Sequence, residues 1–246
     1  MPGPHPDDGP GTPDTLWVND IMRWAHQKWM GFILSTCFAM TMPMTAAARS
    51  QTSEWDVQSW NELDIQARIS PILDITLSSQ VRLSAEQTNP ATYSNGVDLN
   101  IKASDHLILT PSYYLIASRS TAGAWSHSRV PILAATPWYA WGRWMLSDRN
   151  RFAQVKGAGS DFWLYQNRVR LDYAIGREGR ASLFVWDEVS YYSVFHTWNR
   201  NRVAAGARVV GNKAFAIDVY YVHQNDTRTS QRRIDGIGII MEVRTR

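Results

Sequence analysis

The chain has 246 residues, 19% of them charged, with 12 Trp, 10 Tyr, a formal charge of +3 and a single cysteine, Cys37. That length suits one large β domain and forces no second one. The arginines are spread out with no dense Lys/Arg block, which argues against a nucleic-acid partner, and one cysteine excludes an intrachain disulfide framework.

Residues 1–21 are rich in Pro, Gly and Asp and read as an upstream or disordered extension that carries no fold information. Export signals begin near the initiator, so Met22 or Met30 is the expected start. Residues 22–48 have the build of a signal peptide: Arg23 and Lys28, an apolar run from Trp29 to about Met42, then Ala46-Ala47-Ala48. The run is short for a membrane-spanning helix. Cleavage near Ala48 leaves residues 49–246 as the folded domain, without cysteine.

From Glu54 onward the chain alternates apolar and polar residues in short segments. Leu63, Ile65, Ala67 and Ile69 oppose Glu62, Asp64, Gln66 and Arg68; Leu73 to Leu83 alternate with Asp74 to Arg82; Val97 to Ala103 alternate with Asp98 to Lys102. Leu107 to Ala117, His127 to Thr136 and about Arg143 to Val155 follow. The stretch "FWLYQNRVRLDYAIGREGRASLFVWDEVSYY" reads as two long strands joined around Gly176 to Gly179. Trp198 to Val209, Phe215 to Gln224 and Ile234 to Val243 complete eleven segments, and no apolar helical stripe interrupts them. This predicts an all-β chain.

Which solvent meets the apolar face decides the class. A soluble barrel points it inward, a membrane barrel outward to lipid. The export signal, the Trp and Tyr content and the connections favour lipid. Ser70-Pro71, Ser104-Asp105, Gly176 to Gly179 and Gly211 to Lys213 are tight, whereas 84–95, 118–126, 156–161 and 225–233 are longer and polar. Short turns on one rim and longer loops on the other describe a transmembrane antiparallel barrel of the outer-membrane type. Twelve strands are expected, because an even number leaves both ends of the barrel on one side of the membrane; the twelfth would come from dividing Glu54–Ile69 or Trp138–Val155.

On this reading the polar parity lines the lumen. It carries Arg68, Arg82, Lys102, Arg129, Arg143, Arg149, Arg151, Arg168, Arg170, Arg202 and Arg208, with Glu62, Asp64, Asp74, Asp98, Asp172, Glu188, Asp218 and Glu242. Arg149, Arg151, Arg168 and Arg170 should project inward from one hairpin, and Glu188 should contact Arg168 or Arg170. Leu171 and Val185 should face lipid.

The segments "RWMLSDRNRFAQV", "NRVRLDYAI", "LFVWDEVSYY", "WNRNRVAAGARV" and "AIDVYYVHQN" resemble successive motifs of the Gram-negative outer-membrane family catalogued as domain of unknown function 2490. The matching features are Arg149 and Arg151, Arg168 and Arg170, Asp187 and Glu188, Asn201 with Arg202 and Gly206, and Tyr220 with Tyr221. The resemblance spans about residues 53–243 and implies an outer-membrane β-barrel, with little about activity. The chain departs from the pattern at Ala153, where an acidic residue often stands, and at its Val243-Arg244-Thr245-Arg246 end, which lacks the terminal aromatic.

Catalytic and metal chemistry find little support. His106, His127, His196 and His223 are scattered without ligand spacing. Gly236-x-Gly238 lies in a strand and is no nucleotide loop, and Gly157-Ala158-Gly159-Ser160 is no nucleophile elbow. His127 with Ser126 or Ser128 is the nearest approach to a hydrolase pair. The expectation is therefore a monomeric, non-enzymatic, porin-like barrel without cofactor or metal, in contact with outer-membrane lipid and the barrel-assembly machinery. Its charged lumen makes either a narrow pore or a structural or binding barrel; the alternative is a lipid-modifying enzyme of phospholipase or deacylase type.

Overall fold

The computed structural model describes residues 55–84, 90–120, 123–157, 161–176, 180–212, 214–228 and 233–245. The extension expected at 1–21 and the signal peptide expected at 22–48 lie outside these residues. Alternating segments form strands β1 (Trp55–Ser70), β2 (Leu73–Ser84), β3 (Pro90–Ser104), β4 (Leu107–Arg119), β5 (Trp125–Trp141), β6 (Trp144–Gly157), β7 (Phe162–Ile175), β8 (Ala181–Tyr192), β9 (Thr197–Asn212), β10 (Phe215–Asp226) and β11 (Arg233–Thr245). A single 3-10 turn, Ser193–Phe195, separates β8 from β9.

Each strand pairs antiparallel with its neighbour in sequence, and the sheet closes on itself. The expectation of twelve strands is corrected to eleven among the described residues. Glu54–Ile69 does not hide two strands, and Trp138–Trp141 extends β5 up to a turn at Gly142-Arg143. With an odd number, β1 and β11 run in the same direction. They meet in a parallel ladder from Trp55↔Arg233 to Ala67↔Thr245. Closure pairs the backbone of every strand on both sides and leaves no sheet edge.

The connections alternate between rims as expected, but the longer ones are shorter than the sequence suggested. β3 starts at Pro90 and β5 at Trp125, so strands take up residues first read as loop.

Burial follows the two-residue period. In β10, Ala216, Asp218, Tyr220, Val222, Gln224 and Asp226 are buried while Val219 and Tyr221 are exposed; in β8, Phe184, Trp186, Glu188 and Ser190 alternate with exposed Leu183 and Val185. Charged and polar residues interleaved with aromatic and small apolar ones therefore fill the barrel, and aliphatic and aromatic residues cover it, the inverse of a water-soluble barrel. Leu77, Leu115, Leu133, Val185, Val203, Val209 and Ile237 all stand exposed on the outside, an apolar exterior of the kind that a lipid phase covers. Aromatic pairs mark the outer surface near the strand ends: Phe152 stacks on Trp163 with centroids 4.8 Å apart, and Trp144 packs on Tyr173 at 4.6 Å. Val185 sits opposite Leu171 on this surface.

The outward face is not purely apolar. Asn167 Nδ2 donates to Asp148 Oδ1 and to Asn150 Oδ1, the latter at 3.2 Å, and Asn201 Nδ2 donates to Asp187 at 2.7 Å. These side chains lie on the parity that alternation assigns to aliphatics, and each answers its neighbour's hydrogen-bonding demand locally.

Tyrosines pack over glycines on the inner wall. A Cβ at Gly238 would lie 2.0 Å from the Tyr220 ring, and one at Gly96 would lie 2.4 Å from the Tyr114 ring. Both pairs are directly cross-strand, Gly238↔Tyr220 and Gly96↔Tyr114. Only a residue without a side chain lets the ring lie flat there.

Candidate functional site: the charged lumen

Register decides which charges meet. Across β6 to β9 the paired residues run Arg149↔Arg168, Arg168↔Glu188 and Glu188↔Arg202. Glu188 is only 1% exposed. Its Oε2 receives Arg168 Nη2 at 2.8 Å and Arg149 Nη2 at 3.2 Å, and its Oε1 receives Arg202 Nη1 at 3.0 Å. Gln166 Nε2 adds a long contact at 3.5 Å and also donates to Ser190 Oγ at 3.3 Å. Three guanidiniums on one carboxylate satisfy its acceptor sites and leave a local surplus of positive charge.

Of the two arginines named for Glu188, register selects Arg168. Arg170 stands opposite Trp186 and instead binds Asp172 at 2.7 Å and reaches Asp218 at 3.7 Å. Arg208 holds Asp218 at 3.1 Å and also pairs with Glu242, which Arg244 joins. Near the longer-loop rim Arg200 pairs with Asp226 at 2.7 Å through both nitrogens. The sequence reading missed Arg200 and Asp226, although both have the inward parity of their strands.

Aromatic faces carry the same guanidiniums. Arg168 lies 4.1 Å over Trp186, Arg170 lies 4.0 Å over Phe184, and Trp60 receives Arg82 at 4.1 Å and Arg202 at 5.0 Å. Planar guanidinium on aromatic ring is favourable and desolvates both. Trp60, Phe184, Trp186, Ala204, Tyr220, Val222 and Ile234 form one buried cluster inside the barrel. Arg202 spans from β9 to Trp60 on β1, so this side of the lumen is filled by side chains. A cavity of about 70 Å³ remains, lined by residues that include Arg82, Arg168, Arg170, Arg202, Trp60 and Tyr220.

The facing wall is different. Glu62 accepts from Gln80 at 2.8 Å, Asp98 from the Tyr114 hydroxyl at 2.8 Å, and Asp64 from Ser78. None of these carboxylates has an ion-pair partner among the described residues. Arg151 lies 5.4 Å over Tyr114. Arg68 pairs with Asp74 at 3.2 Å, but its side chain is 61% exposed at the rim.

Two residues assigned to the lumen are placed elsewhere. Arg129 sits between Leu115 and Lys156 on the outward parity of β5 and is exposed. Its segment alternates through Ser126, Ser128 and Val130, which face inward, so a one-residue shift in reading the parity reversed it. Arg143 occupies the β5–β6 turn with Gly142, where its carbonyl accepts from the Ala174 amide. Sequence alternation starts the sixth segment at about Arg143, whereas β6 begins at Trp144, after the turn. His127 also faces outward, opposite in parity to Ser126 and Ser128, so the nearest hydrolase pair is split between two faces of the sheet. Ala153 is 1% exposed and packs with Val130 and Ile132, an apolar site on the inner wall. No group of metal-ligating side chains occurs among the described residues.

The family model "Protein of unknown function (DUF2490)" matches residues 57–235. The chain belongs to that family. No curated protein matches it in sequence. Among solved structures it is similar to the NanC porin, with 12% identity, TM-score 0.48, and coverage of 73% of this chain and 93% of that one. LpxR from Salmonella typhimurium has 8% identity, TM-score 0.46, and coverage of 69% and 83%. An anion-selective porin from Comamonas acidovorans has 13% identity, TM-score 0.37, and coverage of 72% and 54%. The closed strand ladder described above, rather than these distant likenesses, defines the fold.

Proposed function

We propose that this member of the family is an outer-membrane β-barrel whose lumen is closed near mid-height by side chains, so that it serves as a structural or ligand-holding barrel and not as an open pore. One observation carries this reading. Glu188, buried in the middle of β8, gathers Arg149, Arg168 and Arg202 from three other strands beside the Trp60–Trp186–Tyr220 packing. Breaking such a cluster to pass an ion strips a buried carboxylate of its partners. The aliphatic exterior supports membrane insertion, and residues 22–48 would supply the export signal, with the mature chain starting near Arg49. Lipid and the assembly machinery are then its natural contacts.

The test is conductance of the full chain refolded into a planar bilayer. The expected result is no steady current from inserted protein. A stable ohmic channel would overturn the closed-lumen reading.

A second reading, a narrow passage, is favoured by one feature: Glu62, Asp64 and Asp98 have no ion-pair partner among the described residues, beside a lumen rich in arginine. Charged walls of opposite sign select ions by charge. The lipid-hydrolase alternative needs a nucleophile and a base on the same face, which the His127 neighbourhood does not offer.

A further inference from the structure

Arg82 is a lumenal arginine without a direct ion pair among the described residues; the nearest acid, Glu62, reaches it only through the Gln80 amide. Arg82 Nε donates to the neutral Gln80 at 2.9 Å, and the Arg82 guanidinium lies over Trp60. It borders the cavity of about 70 Å³ together with Arg168 and Arg202, two of the three cations that share Glu188. Positive charge therefore exceeds negative charge around this space. Four guanidiniums, of Arg82, Arg168, Arg170 and Arg202, line the cavity against two carboxylates, Asp218, which Arg208 and Arg170 hold, and Glu62, which keeps its charge on Gln80. Tyr220 brings a hydroxyl to the same wall.

Uncompensated guanidiniums in a space walled by indole and phenol rings are costly unless an anion joins them. Arginine presents a planar fork that matches two oxygens of a carboxylate or phosphate. Stacking on Trp60 holds the Arg82 fork in place before any ligand arrives, which lowers the ordering cost of binding. A volume of about 70 Å³ admits roughly two waters at ~30 Å³ each, or one anion of comparable size.

We infer that this cavity is a binding site for a small oxyanion, a carboxylate or phosphate group, held between Arg82 and the Arg168–Arg202 side of the Glu188 cluster. The inference rests on the closed-lumen reading and deepens it, because the anion completes the charge balance that the side chains leave open.

The test is calorimetric titration of the full chain, refolded in detergent at constant ionic strength, with inorganic phosphate and separately with acetate. Saturable binding of at least one is expected. Arg82→Gln should weaken it tenfold or more, Arg82→Lys less, and Arg68→Gln at the rim should leave it unchanged, with circular dichroism showing each variant folded. Should Arg82→Gln fail to fold, Arg82→Lys decides: a weakening between those limits supports the site. Absence of saturable binding by the folded native chain, or equal binding by the Arg82 and Arg68 variants, overturns it. A barrel that conducts yet binds phosphate through Arg82 removes the closed-lumen reading alone and leaves the site standing.

Discussion

The two walls of the lumen treat buried charge in opposite ways. On β6 to β9, Glu188 is surrounded by guanidiniums that also stack on Trp60 and Trp186. On β1 to β4, Glu62, Asp64 and Asp98 accept hydrogen bonds from Gln80, Ser78 and Tyr114, all neutral donors. An amide or hydroxyl satisfies a carboxylate's geometry but leaves its charge in place, which suits a wall that keeps water. A guanidinium cluster covers the carboxylate with opposite charge, here in excess, and packs against aromatic rings. The contrast places a buried ion cluster on one side of the barrel and carboxylates held by neutral donors on the other.

The strongest way to break this comparison is to remove the centre of the dry wall. Glu188→Gln strands three arginines and should destabilise the barrel by about 3–5 kcal/mol, measured by denaturant unfolding in detergent. The matching change on the wet wall, Glu62→Gln, should cost far less, since its hydrogen-bond partner Gln80 is neutral and no ion pair is broken. Equal costs would erase the distinction between the walls.

Next in size is a charge placed on the outside. Leu171→Arg or Val185→Arg should cost about 2–4 kcal/mol if near the bilayer midplane, and Leu115→Arg behind the wet wall should cost a similar amount, because both walls share one lipid. Unfolding from vesicles checks this; a cost below roughly 1 kcal/mol at all three positions would place these residues away from hydrocarbon.

A smaller effect is expected within the wet wall. Tyr114→Phe removes the hydroxyl that Asp98 accepts while keeping the ring over Gly96, and should cost about 1 kcal/mol. A loss as large as that of Glu188→Gln would show that the wet wall depends on its neutral donors as heavily as the dry wall on its cations.

The smallest change belongs to the rim. Arg68→Ala breaks an exposed pair with Asp74 and should cost between roughly 0 and 1 kcal/mol, with the difference vanishing in high salt. Removing Arg168 should cost more and show little salt dependence, because its partner is sealed from solvent. A salt-sensitive Arg168 would mean that the cluster is open to water.

Strand identity, parity and family membership were legible in the chain itself, because a two-residue period is a local property of neighbouring side chains. The order Arg149, Arg151, Arg168, Arg170, Glu188, Arg202 already placed an arginine ladder beside an acid. What the sequence could not supply was register. Arg168 and Arg170 share a face, and only the pairing of β7 with β8 puts the first against Glu188 and the second against Trp186. Parity itself failed at Arg129, where Ser126 and Ser128 blur the alternation, and at Arg143, whose turn interrupts a run of aromatic residues. Closure lay furthest from view. Eleven segments could be counted, but whether the ends meet, and that β1 and β11 meet in parallel, depends on contacts between residues nearly the whole barrel apart in sequence. Local pattern sets which face each residue takes, and long-range pairing sets which residue it faces.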